Sequence, residues 1–490
     1  MYGLSTIIGR LLNVLLVPLY THQFTPEQYG RVSLVFTMLA FLQVVYLMGM
    51  ETAFFRYSSG EDRHDAPLSN ALVAVVPFSF LCSLMLWLFA GQVADVWLGG
   101  VEYQHLIRWA SVILLMDALA ALPFAELRRR HKALRFALIK LGNIGLNLIA
   151  NLVLLIGLPF AFQQGWMEAE PLAWYPENQP VVLIFWANAL ASGLAVLLLL
   201  PQVRLVPARI SMQTINTMLA YGLPLVGVGL AAMANETLDR FLLKWWLPGP
   251  PAARIAQIGI YAACYKFSIF MTLVVQAFRY AAEPFFFARA QEENAPHTYA
   301  FIMQLFILAG GAIVLGVSLS MDILKNAIDA RYHEGIQIVP VLLFANLFLG
   351  IYYNLSVWYK ISGKTQTGAW VALSGVGITL AANAVLIPAF QYFGAAWATL
   401  ACYAGMSLLS LLLSRRYYPI PYALPRIGLY LMVIAAFTTV GWWLMHAGNG
   451  LATGWRWSLA ALLMFAYLLF GYAMERSIFD RLIKTRTRSD

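Results

Sequence analysis

Long apolar stretches separated by short polar segments recur along the whole 490-residue chain. A helix needs about 20 apolar residues to cross a bilayer, because backbone groups in hydrocarbon must be hydrogen-bonded within the segment. The pattern therefore predicts an all-α integral membrane protein with about 14 transmembrane helices. They lie at roughly 2–22, 28–55, 70–91, 106–126, 133–158, 181–201, 214–246, 256–279, 297–321, 336–356, 366–388, 391–414, 425–446 and 455–474.

The sequence also contains an internal repeat with an offset of about 230 positions. Arg10 in the first predicted span corresponds to Arg240 in the seventh, and Glu51 in the second corresponds to Glu283 in the eighth. We therefore predict two pseudo-symmetric six-helix lobes. The N-lobe is residues 1–205, the C-lobe is 206–417, and residues 418–490 add two unrepeated spans and a basic tail. In membrane carriers, substrates bind where such repeats meet.

Composition agrees with a membrane protein and gives it an orientation. The chain is 61% hydrophobic and 11% charged, with a mean hydropathy of +0.70, whereas soluble proteins are about 25% charged. With the N-terminus inside, cytoplasmic loops hold about 21 of the 32 Lys and Arg residues and the opposite loops about 8. Both termini are therefore predicted to be cytoplasmic. The net charge of +9 mostly reflects this topology and does not predict a nucleic-acid partner.

Signatures of catalysis and of bound metals are absent from the sequence. It has no GxxxxGK phosphate loop, no zinc-type spacing among its seven histidines and no Ser/His/Asp set at membrane depth. The cysteines Cys82, Cys264 and Cys402 lie within apolar runs, which favours buried packing over metal ligation or disulfides. We predict a transporter without catalytic residues, metal or cofactor, and leave a coupling ion, H⁺ or Na⁺, open.

Charged residues inside predicted spans are the main functional candidates, since each costs a few kcal/mol to place in hydrocarbon. Arg10 and Arg240 occupy equivalent positions in the two lobes. They are predicted to converge on the cleft and to bind a phosphate through paired N–H donors. Alternatively, Arg240 pairs with Asp239 or Glu236, and Arg10 extends towards the membrane interface.

A polar stripe follows one face of the fifth predicted span. Its members recur at positions i, i+3, i+7 and i+11, a spacing that keeps them on one side of a helix. One cation with three amides suits a phosphate and sugar hydroxyls, although interhelical hydrogen bonding is the alternative. These predicted substrate ligands are Lys140, Asn143, Asn147 and Asn151.

Two further groups complete the set of candidates. Lys266 lies in the middle of the eighth span with no charged neighbour in sequence, so it is predicted either to lose its proton in the cleft or to meet a carboxylate such as Asp117. Glu51 and Glu283 lie near the predicted cytoplasmic ends of their spans. With nearby arginines they predict a gate of ion pairs, the alternative being simple interfacial solvation. The predicted gate and ion-pair residues are Glu51, Arg56, Asp117, Asp239, Arg279 and Glu283.

Several segments resemble bacterial polysaccharide flippases, relatives of the multidrug (MATE) exporters and of the lipid II flippase in the MOP superfamily. They are YGLSTIIGR at 2–10, PLYT at 18–21, PEQYG at 26–30, GMETAFFRY at 49–57 and DRFL at 239–242. The resemblance extends over essentially the whole chain. It implies a V-shaped pair of six-helix lobes in the bacterial inner membrane.

The same resemblance implies a function and a set of roles. The cleft would take an undecaprenyl-pyrophosphate-linked oligosaccharide from the cytoplasmic side and release its head group outside by alternating access, for surface polysaccharide (lipopolysaccharide) biosynthesis. Arg10 would bind the pyrophosphate. Glu51 and Arg56 match the second-span motif, and Asp239 and Arg240 the seventh-span motif, whereas Lys140 and Lys266 are predicted from the residues alone.

A cation-coupled multidrug exporter is the alternative function. Such exporters resemble one another in an acidic residue on the first span, where this chain has Arg10. The expected partners are the lipid-linked oligosaccharide, membrane lipids and polysaccharide polymerase or export machinery, and the expected state is a monomer. Because only nine residues precede Arg10 and about 25 precede Arg240 in their spans, we expect the coding start to lie upstream, the alternative being a short first helix.

Overall fold

The computed structural model describes residues 2–58, 66–165, 180–204, 210–447 and 453–475. Most of the segment between the fifth and sixth predicted spans and the basic tail lie outside these residues, and so does the side chain of Arg10. The described residues form helices and no β-strand, as predicted.

Among the described residues, ten α-helices lie in the first half of the chain. They are α1 Tyr2–Val14, α2 Leu16–Gln23, α3 Pro26–Leu47, α4 Met50–Ser58, α5 Pro67–Leu88, α6 Ala90–Leu98, α7 Gln104–Arg129, α8 Ala133–Leu152, α9 Leu158–Gln163 and α10 Val182–Arg204. The second half contains ten more. They are α11 Met212–Trp246, α12 Pro251–Tyr265, α13 Ile269–Ala288, α14 Ala295–Leu319, α15 Met321–Leu324, α16 Val339–Leu355, α17 Val357–Ile361, α18 Thr365–Tyr417, α19 Leu424–Ala447 and α20 Thr453–Met474.

Twelve helical segments of the described chain are long and apolar enough to cross a membrane. Two features account for the difference from the predicted 14. The first predicted span is divided at Leu15 into α1 and α2, and both pieces are shorter than a bilayer requires. Predicted spans 11 and 12 form α18, which bends at Gln391, where φ is 54°. The multi-pass α-helical class is confirmed, and the count of 14 stays a prediction.

The chain divides into two compact units. Unit 1 comprises Met1–Ala263 and Asn383–Ala395, and unit 2 comprises Cys264–Ala382 and Ala396–Asp490. The core of unit 1 includes a cluster in which Leu127 of α7, Phe136 of α8 and Leu199 of α10 are buried together. The core of unit 2 includes clusters around Trp358 and around Cys402. The predicted lobe boundaries stay predictions.

The segment PEQYG forms the first turns of α3. Thr25 precedes it, and its hydroxyl accepts a hydrogen bond from the backbone N–H of Gln28, whose side chain accepts one from the N–H of Thr25. This reciprocal cap satisfies two donors that every helix leaves unpaired at its start, and Pro26 fits the first turn because it lacks an N–H. Glu27 pairs with Arg31 one turn later at 2.6 Å.

Gly30 completes that segment by allowing α3 and α12 to cross in contact. A methyl group at Gly30 would lie 2.0 Å from the carbonyl oxygen of Ile255, and one at Gly259 would lie 1.9 Å from the carbonyl oxygen of Pro26. Neither position has room for a side chain, so the two backbones meet directly. We name this contact the Gly30–Gly259 crossing.

Several predicted spans are interrupted. Met48 and Gly49 both have positive φ, at 48° and 68°, and separate α3 from α4. A π-helical turn, Val153–Gly157, separates α8 from α9, and a 3₁₀ turn, Lys266–Ser268, separates α12 from α13. Such breaks occur in membrane helices where backbone groups are satisfied within the protein.

In unit 2 the two unrepeated helices pack against α14. Gly311 of α14 lies against Ile434 of α19 and Tyr467 of α20, and the Tyr467 hydroxyl donates to the carbonyl oxygen of Leu308 at 2.8 Å. Tyr430 of α19 donates to the buried carboxylate of Glu475 at 2.6 Å. The appended pair is thus fixed to unit 2 by small-residue packing and by hydrogen bonds.

Candidate functional site

The polar stripe predicted on the fifth span lies on α8, and the structure divides it into two parts. Asn147 and Asn151 are buried, and the side-chain N–H₂ of Asn151 donates to the carbonyl oxygen of Asn147 at 2.8 Å. The Tyr20 hydroxyl of α2 donates to Asn151 Oδ1 at 3.0 Å. Asn151 therefore joins α8 to α2, which is the interhelical bonding given as the alternative for the stripe, and Asn147 bonds to Asn151 within α8. Lys140 and Asn143 are half-buried and remain accessible.

The accessible part of the stripe lies beside α1. A methyl group at Gly9 would be 2.5 Å from Ile144 Cδ1, so α1 passes α8 next to Asn143. Arg10 follows Gly9 directly, and its backbone therefore belongs to the same helix pair. Lys140 Nζ lies 5.5 Å from the ring centroid of Phe136 on its own helix. Of the predicted substrate ligands, Lys140 and Asn143 lie together on the accessible part of α8, and the side chain of Arg10 lies outside the described part of the chain.

Asp239 on α11 has a structural function. Its Oδ2 accepts a hydrogen bond from the hydroxyl of Tyr261, a fully buried residue on α12, and its Oδ1 accepts one from the backbone N–H of Arg240 at 2.8 Å. Both carboxylate oxygens are therefore occupied by neutral donors, and Asp239 forms no ion pair within the described part of the chain. Asp239 thus fastens α11 to α12, and Arg240 beside it is half-buried.

Asp117 on α7 also has a neutral partner. The Ser192 hydroxyl of α10 donates to Asp117 Oδ1 at 2.7 Å, and α10 packs closely along α7. Lys266, which begins the 3₁₀ turn of unit 2, is exposed. Among the described side chains Asp117 forms no ion pair, so the structure gives no support to its suggested pairing with a cation.

The predicted gate carboxylates are each neutralised within their own unit. In unit 1 the Arg128 guanidinium at the end of α7 pairs with Glu51 of α4. In unit 2 Glu283 of α13 accepts from Lys360 Nζ of α17 at 2.6 Å and from Arg279 Nε at 3.1 Å. The Glu51–Arg128 and Glu283–Lys360 pairs each tie two helices of one unit together, whereas the Arg279–Glu283 pair lies within α13. A gating function for these pairs stays a prediction.

Arg56 does not pair with Glu51 but stacks on aromatic rings. Its guanidinium carbon lies 4.5 Å from the ring centroid of Tyr221 on α11 and 5.5 Å from that of Tyr57. The Tyr57 and Tyr221 rings meet edge to face at 6.0 Å. A cation over an aromatic face is attracted by the ring quadrupole. Arg56 therefore joins α4 to α11.

The basic cluster at the end of α7 is also used structurally. Glu126 is buried and accepts two hydrogen bonds from Arg129, both at 2.7 Å, and one from Arg130. In the sequence these arginines contribute only to the excess of Lys and Arg in the predicted cytoplasmic loops. The partners that sequence reasoning missed are Tyr20, Glu126, Arg128, Ser192, Tyr221, Tyr261 and Lys360.

Comparison with known proteins identifies the fold. Residues 23–159 match the model of a family described as polysaccharide biosynthesis protein. No curated protein matches the chain. The solved structure of the lipid II flippase MurJ in an inward closed conformation superposes with a TM-score of 0.70 at 13% identity, covering 98% of this chain and 99% of that one.

Multidrug transporters share the same architecture. A MATE family transporter of the MOP superfamily in an inward-facing conformation superposes with a TM-score of 0.63 at 13% identity, covering 86% of this chain and 96% of the other. An outward-facing MATE structure gives a TM-score of 0.57 at 14% identity, covering 88% and 95%. The chain therefore has the fold of MurJ and the MATE transporters, and the predicted structural class is confirmed.

Proposed function

We propose that this protein is a flippase that moves a polyprenyl-pyrophosphate-linked oligosaccharide from the cytoplasmic to the periplasmic leaflet by alternating access, for surface polysaccharide biosynthesis. One observation carries the proposal: the segment matched by the polysaccharide biosynthesis family, 23–159, contains the accessible stripe of α8. The flippase and transporter structures with the same fold support transport rather than enzymatic catalysis.

The chemistry of the α1–α8 pair fits an anionic, sugar-bearing head group. An ammonium at Lys140 can attract a phosphate, and the amide of Asn143 can both donate to and accept from sugar hydroxyls. Arg10 would add a planar guanidinium suited to bidentate phosphate binding. Under this proposal Arg240 and Lys266 supply further positive charge, and a pyrophosphate would find a cationic environment at membrane depth.

The proposal includes a cellular setting. The protein would lie in the bacterial inner membrane with both termini cytoplasmic, act as a monomer, and deliver its product to polysaccharide polymerase or export machinery. Movement would be driven by H⁺, by Na⁺ or by consumption of the product outside. A multidrug exporter of the same fold is the competing function, and cationic drugs would be its substrates.

Reconstituted vesicles test the proposal directly. The full-length protein is placed in liposomes with a fluorescent undecaprenyl-pyrophosphate oligosaccharide, and the fraction of head groups that become accessible to an impermeant quencher is followed. We expect protein-dependent flipping that is lost in Lys140→Ala and retained in Lys132→Ala, which removes an exposed lysine just before α8. Efflux of cationic dyes without lipid flipping would assign the exporter function instead.

A further inference from the structure

The second predicted span is divided by an unusual backbone break. Met48 has φ 48° and ψ 27°, and Gly49 has φ 68°, so two consecutive residues adopt the left-handed conformation between α3 and α4. Glycine adopts it freely, but a residue with a side chain does so at a cost of roughly 1–2 kcal/mol. The helical hydrogen-bond ladder is therefore interrupted at Met48–Gly49, and α4 is a separate nine-residue helix.

One face of α4 packs on α11 with almost no side-chain volume between the backbones. A methyl group at Gly222 would lie 2.6 Å from the carbonyl oxygen of Met48, and one at Gly49 would lie 2.2 Å from the carbonyl oxygen of Gly222. Ala53 and Tyr57 follow Gly49 at intervals of one turn and are buried. This face is closed by small residues and by the rings of Tyr57 and Tyr221, over which the Arg56 guanidinium lies.

A different contact holds α4 to α7. Arg128 pairs with Glu51, and its guanidinium lies 5.1 Å from the ring centroid of Phe55. The helix thus has an electrostatic attachment to α7 and a packing attachment to α11, and the break at Met48–Gly49 lies at its start. Short helices beside such breaks can change orientation through a few backbone dihedrals.

We propose that α4 is a hinged gate: it turns about Met48–Gly49, leaves α11 while keeping its ion pair with Arg128, and so opens the predicted cytoplasmic end of unit 1. The purpose of this movement rests on the proposed transport function, but the movement itself does not require substrate. In the present structure the gate is closed, because Ala53 of α4 is fully buried and the Tyr57 ring packs on the Tyr221 ring of α11.

The test measures exposure of Ala53, which is fully buried in the closed position. In full-length protein in proteoliposomes, with Cys82, Cys264 and Cys402 replaced by Ser, a cysteine at position 53 is labelled with a water-soluble maleimide. Gly222→Ala adds a methyl group at the contact. It is compared with Gly227→Ala on the same helix, where a methyl group meets nothing within 4 Å.

We expect labelling to be roughly 10-fold to 100-fold faster in Gly222→Ala than in the parent, because overpacking biases the equilibrium towards the open position. Gly227→Ala should label at the parental rate. If Gly222→Ala does not fold, Tyr221→Ala replaces it, since it removes the ring that binds Arg56 and Tyr57, and it should also accelerate labelling. Equal rates in a folded Gly222→Ala or Tyr221→Ala variant and in Gly227→Ala would overturn the proposal.

The outcome separates the gate from the function. If Gly222→Ala accelerates labelling but the protein flips no lipid, the movement of α4 is supported and the proposed flippase function is rejected. Lipid flipping in the parent together with labelling that is the same in all variants would keep the flippase and reject the hinge.

Discussion

Glu283 accepts a hydrogen bond from Lys360 across 77 residues of chain, and the same 77-residue separation joins Glu51 to Arg128. Glu283 and Lys360 lie about 230 positions after Glu51 and Arg128 respectively, which is the offset of the internal repeat. Each pair fastens the predicted cytoplasmic end of a helix to the next but one span of its own half. The two halves of the repeat therefore share an equivalent ion pair as well as a similar sequence.

The two pairs predict unequal effects on stability. Arg128→Ala removes the ion-pair partner of Glu51, whereas Lys360→Ala leaves Glu283 with Arg279. All these side chains are at least a quarter exposed, so we expect a loss of about 1 kcal/mol for Arg128→Ala and less than half of that for Lys360→Ala. Thermal unfolding in detergent at low and high salt measures the difference, which should shrink at high salt. An equal or larger loss in Lys360→Ala would contradict this assignment.

The Gly30–Gly259 crossing predicts that replacing either glycine by alanine will destabilise the protein. Gly30→Ala or Gly259→Ala brings a methyl group within about 2 Å of a carbonyl oxygen. We expect a loss of stability of about 1–3 kcal/mol or a failure to accumulate. Gly142→Ala, whose added methyl group meets nothing within 4 Å, is the control and should be neutral or slightly stabilising. Size-exclusion profiles and apparent melting temperatures report the result, and wild-type behaviour of Gly30→Ala would show that α3 and α12 do not touch.

The two parts of the α8 stripe predict different effects: substitution of Asn151 should reduce stability, and substitution of Lys140 should reduce transport. Asn151→Ala leaves the Tyr20 hydroxyl without its buried acceptor, at a cost of about 1–3 kcal/mol. Lys140→Ala should change stability by less than about 0.5 kcal/mol because the side chain is accessible, yet it should abolish lipid flipping. Melting temperature and flipping rate, measured on the same preparations, check both. An unstable Lys140→Ala variant would assign the lysine to the scaffold.

The buried Asp239–Tyr261 bond predicts strong coupling between α11 and α12. Tyr261→Phe leaves one carboxylate oxygen without its donor in a buried site, so we expect a loss of about 1–3 kcal/mol. Asp239→Asn keeps one acceptor oxygen for these two donors and turns an N–H₂ towards the other, so we expect a loss of similar size. The double variant, compared with the two single ones, gives the coupling energy. Additive effects would mean that the two groups do not interact.

Sequence patterns predicted the helical class, the repeat and the candidate charges, because each of these follows from local residue order. Apolar runs identify spans, and the regular spacing of Lys140 to Asn151 identifies one helix face. The resemblance segments also have physical explanations: PEQYG encodes a helix cap and the close crossing at Gly30.

The sequence does not show which charged residues form ion pairs with one another. Glu51 could pair with any nearby cation, and the selection of Arg128 over Arg56 depends on how α7 ends beside α4. The break at Met48–Gly49 was missed because hydropathy is continuous across it, and a glycine beside methionine is weak evidence of a turn. The spacing of Asn147 and Asn151 identifies a shared helix face, but it does not show that Tyr20 of α2 bonds to Asn151 on that face.

The backbone contact between α3 and α12 also constrains biogenesis. Its two sides are synthesised far apart in time, since every helix from α4 to α11 leaves the ribosome between them. The surface of α3 around Gly30 therefore lacks its partner until α12 is synthesised. Chains truncated before Pro251 lack this contact altogether, and we expect them to be degraded faster than the full-length chain.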